Sequence, residues 1–157
     1  MLYAHQQKII DDNPKKCGIF HGTGSGKTTV AWLLSRGKTL IIAPKTQRDD
    51  KNWEREMKRL EITRDYKIIS KEEFRRDWKI LGKFDTVICD EAHRLLGVQP
   101  SMRKAGSMWL PKASQLFDSF YSFIRLTSPS RLYLVTATPT RSPMAVWGAA
   151  TLLGAQW

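Results

Sequence analysis

Two short stretches of this 157-residue chain carry residues whose types and spacing suit phosphate chemistry. The first is His21-Gly22-Thr23-Gly24-Ser25-Gly26-Lys27-Thr28. Glycines at alternate positions let the backbone curl until successive N–H groups point inward at phosphate oxygens, and a helix opening just after them adds the positive end of its dipole. In that arrangement Lys27 reaches the β- and γ-phosphates of a nucleoside triphosphate, while the Thr28 hydroxyl coordinates Mg²⁺. The strict pattern has glycine where His21 stands. The expected nucleotide contacts are Gly22, Thr23, Gly24, Ser25, Gly26, Lys27, Thr28 and Thr29.

The second stretch, Asp90-Glu91-Ala92-His93, closes the apolar run Val87-Ile88-Cys89. Ligands of parallel sheets collect at the carboxyl ends of strands, which would turn these side chains toward the glycine-rich loop. Two adjacent carboxylates are costly there unless a cation and a nucleophilic water occupy them. Asp90 is then the Mg²⁺ ligand, usually through water, and Glu91 the group that orients and deprotonates the attacking water. His93 is a candidate for coupling the nucleotide to a neighbouring loop, although a lone histidine also serves as a structural residue.

The elements that must position these groups read as alternating strands and helices. Residues 17–20, 39–43, 66–69, 86–89 and 131–136 are short β-branched or apolar runs of the kind buried in sheets. Residues 26–36, 47–60, 71–80 and 112–127 have helical length and spacing. Trp53, Met57 and Leu60 mark an apolar stripe on the second of these helices. Ser70 and Glu73 form a capping box for the third. Such alternation predicts an α/β fold, a three-layer parallel sheet with helices on both faces. Residues 94–111, with Gly97, Pro100, Gly106 and Pro111, read as one long loop, a feature that is usually functional or mobile.

Composition bounds the rest. A chain of this length fits one domain, taken to span residues 1–157. No apolar stretch approaches the roughly 18 residues that cross a membrane. The N-terminal residues lack the basic-then-apolar plan of a secretory signal. Cys17 and Cys89 are too few and too far apart for a zinc site or a disulfide framework, and their apolar surroundings suit buried reduced thiols. An intracellular setting, cytoplasmic or nuclear, is the expectation. The formal charge of +11 is spread along the chain except over residues 84–92, which hold three acids and no base. A basic surface attracts polyanions such as DNA or RNA through counterion release; it also serves solubility alone.

Taken together, the motifs resemble a family. Gly22-Thr-Gly-Ser-Gly-Lys-Thr, Asp90-Glu-Ala-His and Thr136-Ala-Thr-Pro look like motifs I, II and III of the superfamily 2 helicases, in the order and spacing of the first RecA-like lobe. Ala43-Pro44-Lys45 followed by Asn52-Trp53 is similar to motif Ia of the Swi/Snf-like branch. So are the stretch from Phe84 to Arg94 and the tail with Thr138-Pro-Thr, Trp147 and Leu152-Leu153-Gly154. The resemblance implies that Gln6 reads adenine and that Thr136 and Thr138 link hydrolysis to nucleic-acid binding. It also implies that Pro44, Lys45 and Thr46 meet a sugar-phosphate backbone, contacts that position without reading sequence. Arg141 is implied to touch nucleic acid or a partner lobe.

That resemblance makes the chain an ATP- and Mg²⁺-binding motor lobe acting on DNA, duplex DNA above all, or on RNA. Motifs IV to VI, with the arginine finger, belong to a second RecA-like lobe in such proteins, supplied in cis or in trans. The lobe alone is expected to bind nucleotide and hydrolyse it slowly or not at all. Two other classes remain open: a non-hydrolysing adaptor for nucleic acid or protein, and a different phosphate-loop enzyme. Thr136-Ala-Thr-Pro argues against the latter, and the intact Glu91 against the former.

Overall fold

The computed structural model describes residues 2–22, 24–96, 102–105, 108–111, 114–138 and 143–154. Seven strands are described: β1 (Lys16–Phe20), β2 (Thr39–Ala43), β3 (Tyr66–Ser70), β4 (Thr86–Cys89), β5 (Met102–Ala105), β6 (Met108–Pro111) and β7 (Arg131–Thr136). Eight helices accompany them: α1 (Ala4–Asp12), α2 (Lys27–Leu34), α3 (Lys45–Asp49), α4 (Asn52–Arg59), α5 (Lys71–Asp77), α6 (His93–Leu96), α7 (Gln115–Thr127) and α8 (Pro143–Leu153). Five strands form one all-parallel sheet in the order β1-β7-β4-β2-β3.

The alternation of side chains along each strand divides the core into two layers. Leu40, Ile42, Val87, Cys89, Leu132 and Leu134 face one side, where they pack with Phe74 of α5 and with Phe117, Phe120 and Phe123 of α7. Their neighbours Ile41, Ala43, Ile88, Tyr133 and Val135 face the other, against Val30, Ala31 and Trp32 of α2 and Trp53 of α4. Every residue of β2 and β4 is buried, as expected for parallel strands covered on both faces. The α/β expectation and all five of its strands are found.

Four details differ from the sequence reading. The helix expected over 47–60 is two helices, because Lys51 sits in the left-handed region (φ 52°) as the N-cap of α4, and α3 begins earlier at Lys45. The helix expected over 71–80 stops at Asp77 and tightens into a 3₁₀ turn, Trp78–Ile80. Residues 94–111, expected as one loop, contain the end of α6 and an antiparallel hairpin of β5 and β6. Finally, α1 and α8 had no counterpart among the expected helices; α1 is short and mostly polar, so its periodicity carries little signal. The Ser70–Glu73 capping box is present, with Ser70 Oγ accepting from Glu73 N–H at 3.1 Å.

Candidate active site

The glycine-rich loop lies between the end of β1 and the start of α2. Gly26 caps α2 with φ 71° and ψ 34°, a left-handed conformation that costs glycine nothing and other residues about 1–3 kcal/mol. A Cβ there would also run into Gln6 Nε2. Lys27 opens the helix, and its ammonium folds back across the loop to Gly22 O at 2.7 Å.

The carboxylates follow β4. Asp90 continues the parity of Ile88, so it lies on the α2/α4 side of the sheet and is only 5% exposed. Trp53 Nε1–H donates to Asp90 Oδ2 at 3.2 Å, and Glu91 N–H donates to Asp90 Oδ1 at 2.8 Å. Burial pushes the Asp90 carboxyl above its ordinary range despite those two donors. The main chain stays tied to both neighbouring strands: Asp90 N–H reaches Ile42 O (2.8 Å) and Ala92 N–H reaches Val135 O (2.9 Å). Between these anchors Glu91 adopts φ 48°. Lys71, 6% exposed at the first turn of α5, donates its ammonium to Glu91 O at 2.7 Å.

Strand order explains how the two stretches meet. With β7 between β1 and β4, the loop and Asp90 are two strand spacings apart, roughly 10 Å. Gly24, Gly26, Lys27, Thr28, Asp90 and Glu91 line one cleft of about 300 Å³. The intervening strand ends at Thr136, which is why a second set of contacts forms there. His93 Nδ1 lies 3.0 Å from Glu91 Oε2 and 3.0 Å from Thr136 Oγ1, while Thr138 N–H donates to Thr136 Oγ1 at 3.2 Å. Glu91, His93, Thr136 and the main-chain N–H of Thr138 thus form one hydrogen-bonded chain.

The overall arrangement can be compared with known proteins. No protein-family model matches the sequence, and no curated protein matches it. Among solved structures, the crystal structure of the Pyrococcus furiosus Hef helicase domain superposes with a TM-score of 0.64 at 17% identity, over 96% of this chain. This chain has the fold of a helicase RecA-like lobe. It spans 35% of the length of the Hef chain.

Other residues expected at the site fall in different places. The Gln6 carboxamide is used at both ends behind the loop: its Oε1 accepts from Tyr3 N–H (2.8 Å) and its Nε2 donates to Ser25 O (2.6 Å). Thr29, expected beside the nucleotide, instead donates its hydroxyl to Glu56 Oε1 of α4. Lys45 and Thr46 are exposed on the first turn of α3, with Pro44 as its N-cap, at the carboxyl end of β2. Thr23 and Arg141 lie outside the described residues.

The structure also adds residues that sequence reasoning missed. Gln47 and Asn52 line the cleft from α3 and α4. Trp53 was read as part of an apolar stripe and of the Asn52-Trp53 resemblance, and neither signals an indole N–H aimed at Asp90. Lys71, beside a capping box, reads as one more surface lysine. Burial holds the thiols of Cys17 and Cys89 at about 11, in keeping with inert reduced cysteines. Among the described residues no helix is long and apolar enough to cross a membrane.

Proposed function

We propose that this chain is the ATP-binding first motor lobe of a nucleic-acid-dependent ATPase, a helicase or duplex-DNA translocase of the Swi/Snf-like type, which needs a second RecA-like lobe for efficient hydrolysis. The observation that carries the reading is the convergence of Lys27, Thr28, Asp90 and Glu91 on one cleft. Buried polar atoms of the loop, Ser25 Oγ and His21 Nδ1, have no hydrogen-bond partner among the described residues, which suits a loop completed by phosphate oxygens.

The donor set fits a magnesium-nucleotide substrate. Mg²⁺ takes one or two carboxylates together with phosphates and waters, not a full protein cage. Among the described residues no group of three or more His, Cys, Asp or Glu forms such a cage. Asp90 offers the remaining lone pairs of a carboxylate whose two oxygens each already accept one N–H. A cation beside it offsets the cost of burying that charge. A metal held there by Asp90 and Thr28 would supply charge neutralisation for the phosphates.

In this mechanism Lys27 exchanges Gly22 O for phosphate oxygens, and Thr28 supplies a hard oxygen toward the metal. Glu91 accepts a proton from the attacking water, and His93 at its Oε2 stabilises the carboxylate in the required orientation. The contacts from His93 through Thr136 to Thr138 carry the state of Glu91 toward the surface that would hold nucleic acid. Lys45 and Thr46, exposed beside it, and the formal charge of +11 support a polyanionic partner. The arginine finger of the second lobe would contribute on the order of 10³–10⁵ in turnover.

Single-turnover hydrolysis of ATP, with protein in excess, a second RecA-like lobe supplied and duplex DNA present or absent, tests this reading. Glu91→Gln should lower the rate about 10²–10⁴-fold while nucleotide binding persists. Equal rates for wild type and variant would remove Glu91 from the chemistry. Binding without any hydrolysis would favour an adaptor built on the same lobe.

A further inference from the structure

The most unusual charged group near the cleft is one that the mechanism above does not use. Lys71 is 6% exposed, on the face of the sheet opposite the phosphate loop's helix, and yet its ammonium donates to a main-chain carbonyl. Burying an ammonium is costly unless its bonds and neighbouring charges compensate. The carbonyl it meets belongs to Glu91, whose left-handed backbone is unfavourable for a residue with a Cβ. Such backbone persists only where surrounding groups over-determine it. Here the groups are identifiable. The N–H of Asp90 and the N–H of Ala92 are bonded to β2 and β7, and the carbonyl between them is bonded to Lys71.

The rest of α5's first turn ties this lysine to the neighbouring helix. Glu73, two residues on, accepts from Ser70 N–H at 2.7 Å and pairs with Arg48 of α3. Lys71 therefore projects from a turn that is fixed at both ends. That leaves its ammonium little freedom to move away from Glu91 O.

We infer that Lys71 is a positioning residue for hydrolysis, clamping the left-handed peptide of Glu91 so that the carboxylate is aimed into the cleft. This rests on the ATPase reading and deepens it. Lys71 does not line the cleft, so it acts on the water-activating group and not on nucleotide affinity. It belongs to the class of supporting residues whose loss typically costs about 10–100-fold in activity around comparable sites.

The test compares wild type, Lys71→Met, Lys71→Arg and Glu91→Gln as full chains. It uses single-turnover hydrolysis of magnesium-ATP with a second RecA-like lobe and duplex DNA present, and the ATP concentration giving half-maximal rate. Lys71→Met should lower the maximal rate about 10–100-fold, leave the half-saturating concentration within about twofold, and be rescued in part by Lys71→Arg, which retains a donor. Lys71→Met at the wild-type rate, while Glu91→Gln is slow, overturns this inference and leaves the ATPase reading standing. So does a loss confined to nucleotide affinity. Should Lys71→Met fail to fold by circular dichroism, Lys71→Gln takes its place under the same criteria: a loss of about 10–100-fold in maximal rate supports the inference, and a wild-type rate overturns it. Wild type no faster than Glu91→Gln sinks the ATPase reading and the positioning role with it.

Discussion

The two sides of the cleft are built by different means. On the phosphate-loop side, the groups that would meet nucleotide are contiguous in sequence and held mostly by local contacts: Gly26 caps the helix, Lys27 bonds Gly22 O five residues away, and Gln6 braces Ser25 O. On the carboxylate side, Asp90 and Glu91 are held by Trp53, Lys71 and the ends of β2 and β7, all distant in sequence. A loop set by its own glycines can change its contacts without disturbing the core. A carboxylate set by buried partners cannot. Substitutions on the first side should therefore alter ligand binding and spare stability, while those on the second should alter both.

Lys27→Ala is the strongest test of that contrast. The ammonium's bond to Gly22 O is exposed and local, so the thermal midpoint of the free protein should stay within about 1 °C. Losing a charge-assisted contact to phosphate, worth about 1.5–3 kcal/mol, should weaken nucleotide binding about 10–100-fold. Calorimetry with magnesium-ADP measures the affinity, and a thermal melt measures the midpoint. A large drop in midpoint would show that the loop is not the self-contained device described.

The same contrast explains what could be read from the chain alone. The loop was legible because its glycines and lysine fall in one run of eight residues, His21 to Thr28, between a strand and a helix. The strands were legible because central parallel strands are continuous apolar runs, as in Thr39–Ala43. Asp90 and Glu91 were legible as residues but not as a supported pair. Their supports depend on where α4 and α5 come to rest on opposite faces of the sheet, a tertiary outcome. The break at Lys51 escaped notice for a related reason: it lies ahead of the apolar stripe of Trp53, Met57 and Leu60, in the polar run Gln47 to Asn52, where a left-handed residue leaves no mark on the hydrophobic pattern. The Thr29 hydroxyl turns to Glu56 of α4, since one residue along a helix rotates a side chain by about 100° from that of Thr28.

Trp53→Phe tests the carboxylate side. It removes the N–H at Asp90 Oδ2 and leaves the main-chain acceptor of Trp32 Nε1 unchanged. A buried charged acceptor short of one donor, with some lost ring volume, should cost about 1–2 kcal/mol. That corresponds to a thermal midpoint lower by roughly 2–8 °C for a chain of this size. Nucleotide affinity should become less responsive to Mg²⁺, read as the ratio of ADP affinities with and without the metal. An unchanged midpoint would erase the distinction between the two sides.

The smallest expected effect lies at the link between them. Thr29, next to Thr28 on α2, donates to Glu56 of α4, the helix that carries Trp53, and Arg59 pairs with the same carboxylate. The Arg59 hydrogen bond, then that of Thr29, holds the Glu56 carboxyl below its ordinary value of 4.5 against partial burial. A carboxylate with a lowered folded-state pKa binds fewer protons when folded, so its contribution is present above the unfolded value and disappears as pH falls through the folded one. Glu56→Gln keeps an acceptor for Thr29 but loses the charge facing Arg59. With Arg59 mostly exposed, the cost should be under about 1 kcal/mol at neutral pH. The difference between wild type and variant in thermal or denaturant midpoint should be largest at pH 6–7, close to its unfolded-state limit on the alkaline side of about 4.5, and shrink steadily below that. A gap that stayed constant into acid would assign the link to packing of α2 on α4 and not to the charge of Glu56.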